Sequence, residues 1–132
     1  MENSKKLMIL VVAILFGFNG YTQNSSAAIT GKWLRIPKQD FIVEVSKSGP
    51  GYAGRITWAK DSLNQKRLGF TILENLQYNS RNNVWTNGKI HDPKTGKTYD
   101  AETRIKGDGT LEVHAYKGVR FLGTKRYFKR VQ

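Results

Sequence analysis

Beyond residue 27 the chain alternates. Phe41, Val43 and Val45 alternate with Ile42, Glu44 and Ser46, and Tyr52, Gly54, Ile56 and Trp58 with Ala53, Arg55, Thr57 and Ala59. Tyr99, Ala101, Thr103 and Ile105 alternate with Asp100, Glu102 and Arg104, and Leu111, Val113 and Ala115 with Glu112, His114 and Tyr116. A period of two sets one face in a core and the other in water, the habit of antiparallel sheet. Turn chemistry separates the runs: Ser48-Gly49-Pro50-Gly51, Asp92-Pro93-Lys94-Thr95-Gly96 and Lys106-Gly107-Asp108-Gly109-Thr110. In the second of these, Asp leads, Pro follows and Gly comes late, which predicts a type I turn closing through a left-handed residue at Gly96. Hairpins following one another in this way make a meander.

Buried faces must meet across a hairpin, and this fixes the register. Pairing Val45 with Gly54 sets Glu44 opposite Arg55. Pairing Thr103 with Val113 sets Arg104 opposite Glu112 and Glu102 opposite His114. All three outward pairs are complementary, each contributing roughly 0.2–1 kcal/mol. Residues 61–83 are less regular: 68–76 suits a strand or a short helix, and 78–83 a polar loop. Residues 119–131 are expected to form one long strand, with Gly123 a bulge or bend. The count is about eight strands. A sheet of that width curls and closes, which removes its edges. The expected fold is an all-β, up-and-down antiparallel barrel. Closure brings the first and last strands together, so that Arg130 is expected to stack on Trp33, which follows Gly31, and to shut the barrel floor.

The N-terminus has a different pattern. Lys5 and Lys6 precede an apolar run from Leu7 to Phe18, long enough for the core of a signal peptide and too short for a membrane helix. Residues 1–22 are therefore expected to be a cleaved leader, which could extend to 27, and residues 28–132 a single barrel domain in a periplasmic or secreted protein. The chain has no cysteine, so neither disulfides nor a thiol nucleophile nor a lipid-anchored cysteine is available.

Charge narrows the partners. The chain carries 22 Lys and Arg against 10 Asp and Glu, a net charge of +12. Lys117, Arg120, Lys125, Arg126, Lys129 and Arg130 crowd the end, with no acid after Glu112. Such an excess draws anionic partners. Export argues against nucleic acid and for anionic lipid, lipopolysaccharide or another envelope polyanion.

Gly31-Lys32-Trp33 followed by a meander resembles the calycin superfamily of lipocalin and fatty-acid-binding barrels. A closer likeness lies in four segments that occur in order: Gly31-Lys32-Trp33; Gly54-Arg55-Ile56-Thr57-Trp58; the run from Trp85 through Gly88, Asp92-Pro93 and Gly96 to Tyr99; and Leu122-Gly123 through Arg130-Val131. Together they resemble an uncharacterised bacterial exported family, domain of unknown function 2147, along nearly the whole chain after the leader. Phe128 stands where that family tends to carry Trp. The resemblance implies a small β-barrel and no established activity.

Catalytic chemistry is thin. No Gly-x-Ser-x-Gly elbow occurs, and the serines fall on wet faces or loops. Asp100 and Glu102 share a strand face at a spacing compatible with glycosidic acid–base work, but that face is expected to be a solvated charge ladder. Two histidines, His91 and His114, with a carboxylate could ligate zinc, yet no ligand spacing supports a metal site. No phosphate loop or dinucleotide fingerprint suggests a cofactor. Asp92, Pro93, Gly96 and Gly88 are assigned to specifying the fold. The interior remains open to two readings, a core filled by its own side chains or a pocket for one small ligand. In the second, Tyr52, Trp58 and Tyr99 line the cavity while Lys117, Arg120, Lys125 and Arg126 attract an acidic group. The leading expectation is non-enzymatic binding of an anionic or amphipathic envelope molecule. The rivals are a hydrolase using Asp100, Glu102 or His114, and a structural or protein-interaction module with a filled barrel.

Overall fold

A computed structural model of the chain describes residues 25–119 and 123–131. Nearly all of the expected leader lies outside the described residues, and so does Arg120. A 3₁₀ helix, Ser26–Ile29, leads into β1 (Gly31–Ile36), β2 (Phe41–Ser48), β3 (Gly51–Ala59), a short helix α1 (Ser62–Gln65), β4 (Thr71–Asn79), β5 (Val84–His91), β6 (Thr98–Ile105), β7 (Leu111–Tyr116) and β8 (Thr124–Val131). The strands form a closed antiparallel barrel in chain order, with β8 pairing back onto β1. The expected cross-strand pairs are present: Val45 with Gly54, Glu44 with Arg55, Thr103 with Val113, Arg104 with Glu112 and Glu102 with His114.

Of the two alternatives for residues 68–76 the strand is the one that forms, as β4, and the helix lies earlier, at Ser62–Gln65. Asp61 caps α1 by accepting the Asn64 amide at 2.9 Å, and the chain then re-enters the sheet at Thr71. The last strand, β8, begins at Thr124 after a bend at Gly123, and residues 120–122 of the expected longer strand lie outside the described residues. Bulges break the alternation at several points. Asn75 and Asn87 take left-handed backbone at the β4 and β5 bulges, a conformation that Asn tolerates, and Asn75 donates to the Asn87 carbonyl at 3.1 Å.

One end of the barrel is sealed by a network of donors. Trp33 Nε1 donates to the Ile29 carbonyl at 2.9 Å and Trp85 Nε1 to the Ser26 carbonyl at 3.0 Å. Arg130 lies 4.2 Å from the Trp33 ring centroid and donates to the carbonyls of Thr30 (2.9 Å) and Ala28 (2.8 Å). Ala28 N reaches the Ser25 carbonyl, and Thr30 N and Oγ1 both reach that of Ala27. Every carbonyl from Ser25 to Thr30 is thereby paired within the protein, although of these residues only Ile29 is fully buried. Gly31 has φ +126°, and a Cβ there would meet Arg130 Nη1 at 2.8 Å, so the seam needs glycine at that position.

Above this floor the interior is filled. Val43, Val45, Ile56, Leu73, Leu76, Trp85, Leu111 and Val113 are all buried. Gly54 and Gly88 leave no pocket. Val43 Cγ1 fills the space beside Gly54, 2.7 Å from where a Cβ would stand, and Leu76 Cδ2 occupies that beside Gly88. Small inward residues here make room for large neighbours.

Candidate functional site

The β1–β2, β3–β4, β5–β6 and β7–β8 connections surround the end opposite the floor. Arg35 points inward there, two residues along β1 from Trp33 and opposite buried Phe128. Its guanidinium lies 4.9 Å over the Phe41 ring, and Phe41 meets Phe128 edge-on with centroids 6.3 Å apart. Arg35 also grips Asp40 bidentately, Nε to Oδ1 at 2.9 Å and Nη2 to Oδ2 at 2.6 Å. Burial pushes the Asp40 carboxyl up, but the Arg35 guanidinium outweighs it and holds the group below the usual carboxylate range. This ion pair therefore lies across the aromatic pair at the mouth.

Round the wall, β6, β7 and β8 present a different lining. Arg126 sits opposite Val113, so the two share the inner face, yet Arg126 is exposed while Val113 is fully buried. Thr124 faces Ala115, and Ala115 faces Ala101, all inward-facing and small. Tyr99 is inward and half-buried, with Lys117 Nζ 5.6 Å from its ring. Deeper still, Thr103 Oγ1 is buried with no hydrogen-bond partner among the described residues, between Trp85 and Val113. A buried hydroxyl left unpaired costs free energy. The arrangement offers cations at the rim, an aromatic ring and small side chains beneath them, and one unspent hydroxyl within.

The family described as "Uncharacterized protein conserved in bacteria (DUF2147)" matches residues 31–130. The chain belongs to DUF2147. Its fold is similar to a solved structure from Helicobacter pylori, protein HP1028, which is described as belonging to the lipocalin family. The TM-score is 0.63 at 17% identity, covering 79% of this chain and 83% of that one. At that identity the likeness shows the fold alone. No curated protein matches the chain.

Within this DUF2147 barrel the residues expected to bind a ligand are dispersed. At the mouth Lys117 lies over the Tyr99 ring, while Arg126 occupies an inner position of β8 opposite Val113. Tyr52 is buried on the floor, its hydroxyl 3.2 Å from Ser26 Oγ, so it lines no open cavity. Trp58 faces outward, correcting its expected inward placement. Ile42 pairs with Trp58 but Val43 with Ile56, which makes Thr57 an extra residue, and Ala59 takes the interior position. Lys125 stands on the outer wall, 3.3 Å from Glu112. The sequence reading places Phe41 on the inner face but names neither it nor Arg35 as a site residue, although Arg35 follows Trp33 by the interval of two that marks an unbulged inward face.

The catalytic rivals gain little. Asp100 is bound by Lys89 at 2.6 Å, and Glu102 and His114 are cross-strand partners on the outer wall. A carboxylate–imidazole–hydroxyl chain does occur: Glu74 Oε2 lies 2.5 Å from His91 Nε2, and His91 Nδ1 2.8 Å from Thr98 Oγ1. It spans three neighbouring strands on the outer wall in contact with solvent, where such a relay has none of the water exclusion that gives it catalytic strength. Among the described residues no group of His, Asp and Glu is placed to hold a metal, and no helix is long and apolar enough to cross a membrane.

Proposed function

We propose that this protein is a non-enzymatic binding protein whose mouth takes one small anionic amphipathic molecule, its acidic group at Arg126 and Lys117 and its apolar part against Tyr99, Ala101 and Ala115. The observation that carries this reading is Arg126. An inward position opposite a fully buried valine is a core position by register, and here it holds a solvent-reached guanidinium. A cation at such a place stabilises no core and is well suited to an anion entering the barrel. Arg35 contributes less to that charge, because Asp40 already holds it. The short reach between the mouth and the filled lower barrel favours a small ligand over a long chain.

Isothermal titration with dodecyl phosphate, below its micellar concentration, tests the assignment. Arg126→Ala and Tyr99→Ala are each expected to weaken binding roughly tenfold. Lys125→Ala, on the outer wall, should leave it unchanged. Equal affinity in Arg126→Ala and in the parent would overturn the reading.

A further inference from the structure

The described residues expose three large hydrophobic side chains, Trp58 (43%), Leu68 (46%) and Val119 (42%), and all three lie at the mouth. Single exposed apolar residues are ordinary on any surface. Their collection at one end is not. Trp58 is the penultimate residue of β3, Leu68 lies in the β3–β4 connection and Val119 in the β7–β8 connection. In an eight-stranded barrel those two connections face each other across the opening. Below the rim, Trp58 pairs with Ile42 and Ile42 with Leu34, both half-buried on the outer face, so an apolar strip runs round the wall from the tryptophan.

Charge follows the same division. The mouth connections, residues 37–40, 60–70, 92–97 and 117–119, hold seven Lys and Arg against three Asp. Lys38, Lys60, Lys66, Lys94, Lys97 and Lys117 are exposed. The three acids are engaged locally: Asp40 with Arg35, Asp61 capping α1, and Asp92 accepting the Lys94 amide at 2.8 Å inside its own turn. The connections at the floor, residues 49–50, 80–83 and 106–110, hold two cations and one acid.

We infer that the mouth docks on the surface of an anionic lipid bilayer. Trp58, Leu68 and Val119 enter the headgroup layer on opposite sides of the opening, and the lysines reach lipid phosphates. Aromatic and aliphatic side chains with a ring of lysines are the two contributions that interfacial binding sums, buried apolar area and attraction to anionic headgroups. Long lysine stems cover apolar surface while their ammonium groups stay in the polar layer. As a statement of where the ligand comes from, this rests on the mouth being a binding site; as a docking surface it stands on the rim alone.

The protein carries its own reporter. Trp33 and Trp85 are 0% and 1% exposed, so a change in tryptophan environment on docking reports Trp58. Vesicles of phosphatidylcholine mixed with phosphatidylglycerol are expected to sediment with the protein, to shift tryptophan emission to the blue and to shield it from acrylamide. Pure phosphatidylcholine should do none of these, and added salt should weaken all of them. The double variant Trp58→Ser/Leu68→Ser should lose roughly tenfold or more in vesicle affinity, read by sedimentation. Lys60→Gln/Lys66→Gln should lose roughly tenfold or more as well, at about fivefold for each lysine. Every arm carries the same N-terminus, so these differences belong to the rim. Unchanged sedimentation of the Trp58→Ser/Leu68→Ser variant, or equal binding to pure phosphatidylcholine, would overturn the proposal. So would retention on heparin with no retention on anionic vesicles, which would make the lysines a site for a soluble polyanion. Vesicle binding that survives in Arg126→Ala and is lost in the rim variant supports docking even where dodecyl phosphate fails to bind, so this inference and the mouth assignment fail separately.

Discussion

The two ends of this barrel use the same residue types in opposite ways. At the floor, a tryptophan and an arginine are spent inward: Arg130 covers the Trp33 ring, and the N–H groups of both satisfy carbonyls of the 3₁₀ helix and of Thr30 that follows it. At the mouth, Trp58 faces solvent and Arg126 occupies an inner position that solvent reaches. The difference lies in backbone need. The floor is made from a segment outside the sheet, whose partly buried carbonyls have no neighbouring strand to pair with and take side-chain donors instead. The mouth is made from strand ends and turns, whose polar groups are already paired or wet. Side chains at the floor are committed to stability, and those at the mouth are available for partners.

Substitution of Trp33 tests that division most severely. Trp33→Ala removes a fully buried ring, unpairs the Ile29 carbonyl and strips the arginine of its platform; the expected loss is about 3–5 kcal/mol by urea denaturation. A loss below about 1 kcal/mol would mean that the floor is not the principal fastening. Gly88→Ala is the next largest. Its methyl would stand where Leu76 Cδ2 now lies, with the Glu74 carbonyl 3.2 Å away, and overpacking of this kind costs about 1–3 kcal/mol. Leu76→Ala in the same chain should restore part of that loss relative to Leu76→Ala alone. An additive double variant would show that the space beside Gly88 is not shared with Leu76.

Much of this was legible in the chain, and the parts that were not share a cause. Alternation gave the strands, the meeting of buried faces gave the register with charge complementarity in agreement, and the pairing of the first strand with the last located Trp33 and Arg130. Bulges defeated the same logic. Thr57 is an extra residue by register only, and nothing in Gly-Arg-Ile-Thr-Trp marks it, so Trp58 was assigned to the wrong face. Tyr52 was assigned to the correct face but the wrong height, since alternation distinguishes in from out and is silent about floor and mouth. Arg35 escapes a reading of apolar alternation because a cation interrupts the apolar run on its strand. Near an opening, an inward cation is solvated and escapes the penalty that excludes it from a core.

A smaller effect comes from the outer wall. Glu112 is buried beneath Arg104 (3.1 Å) and Lys125 (3.3 Å). Burial pushes its carboxyl up, and the two cations outweigh that and hold it below the usual range. With the folded value lowered, the unfolded chain binds more protons in the acid range. The contribution of Glu112 is therefore present above about pH 4.5 and fades as pH falls through the lowered value. Glu112→Gln is expected to cost about 1 kcal/mol at neutral pH, since both cations are half exposed and screened. It should also flatten the fall of the urea midpoint below about pH 4.5. An acid limb as steep as the parent's would place that dependence on other carboxyls, Asp40 first, which Arg35 also holds low.

The smallest expected effect separates the two ends most cleanly. Trp58→Ser and Leu68→Ser replace large apolar residues, the class whose loss at the floor is most damaging. At the rim their side chains stand nearly half exposed, and surface changes of this kind fall within about 0.5 kcal/mol. Thermal denaturation should place the double variant within a few degrees of the parent, a shift of about the size that 0.5 kcal/mol makes in a domain this small. A tryptophan that costs several kcal/mol at one end and next to nothing at the other cannot be held by its contribution to folding alone at the second. A large loss from the rim variant would show instead that Trp58 and Leu68 pack against the barrel, and the contrast between a committed floor and an available mouth would fail on its own terms.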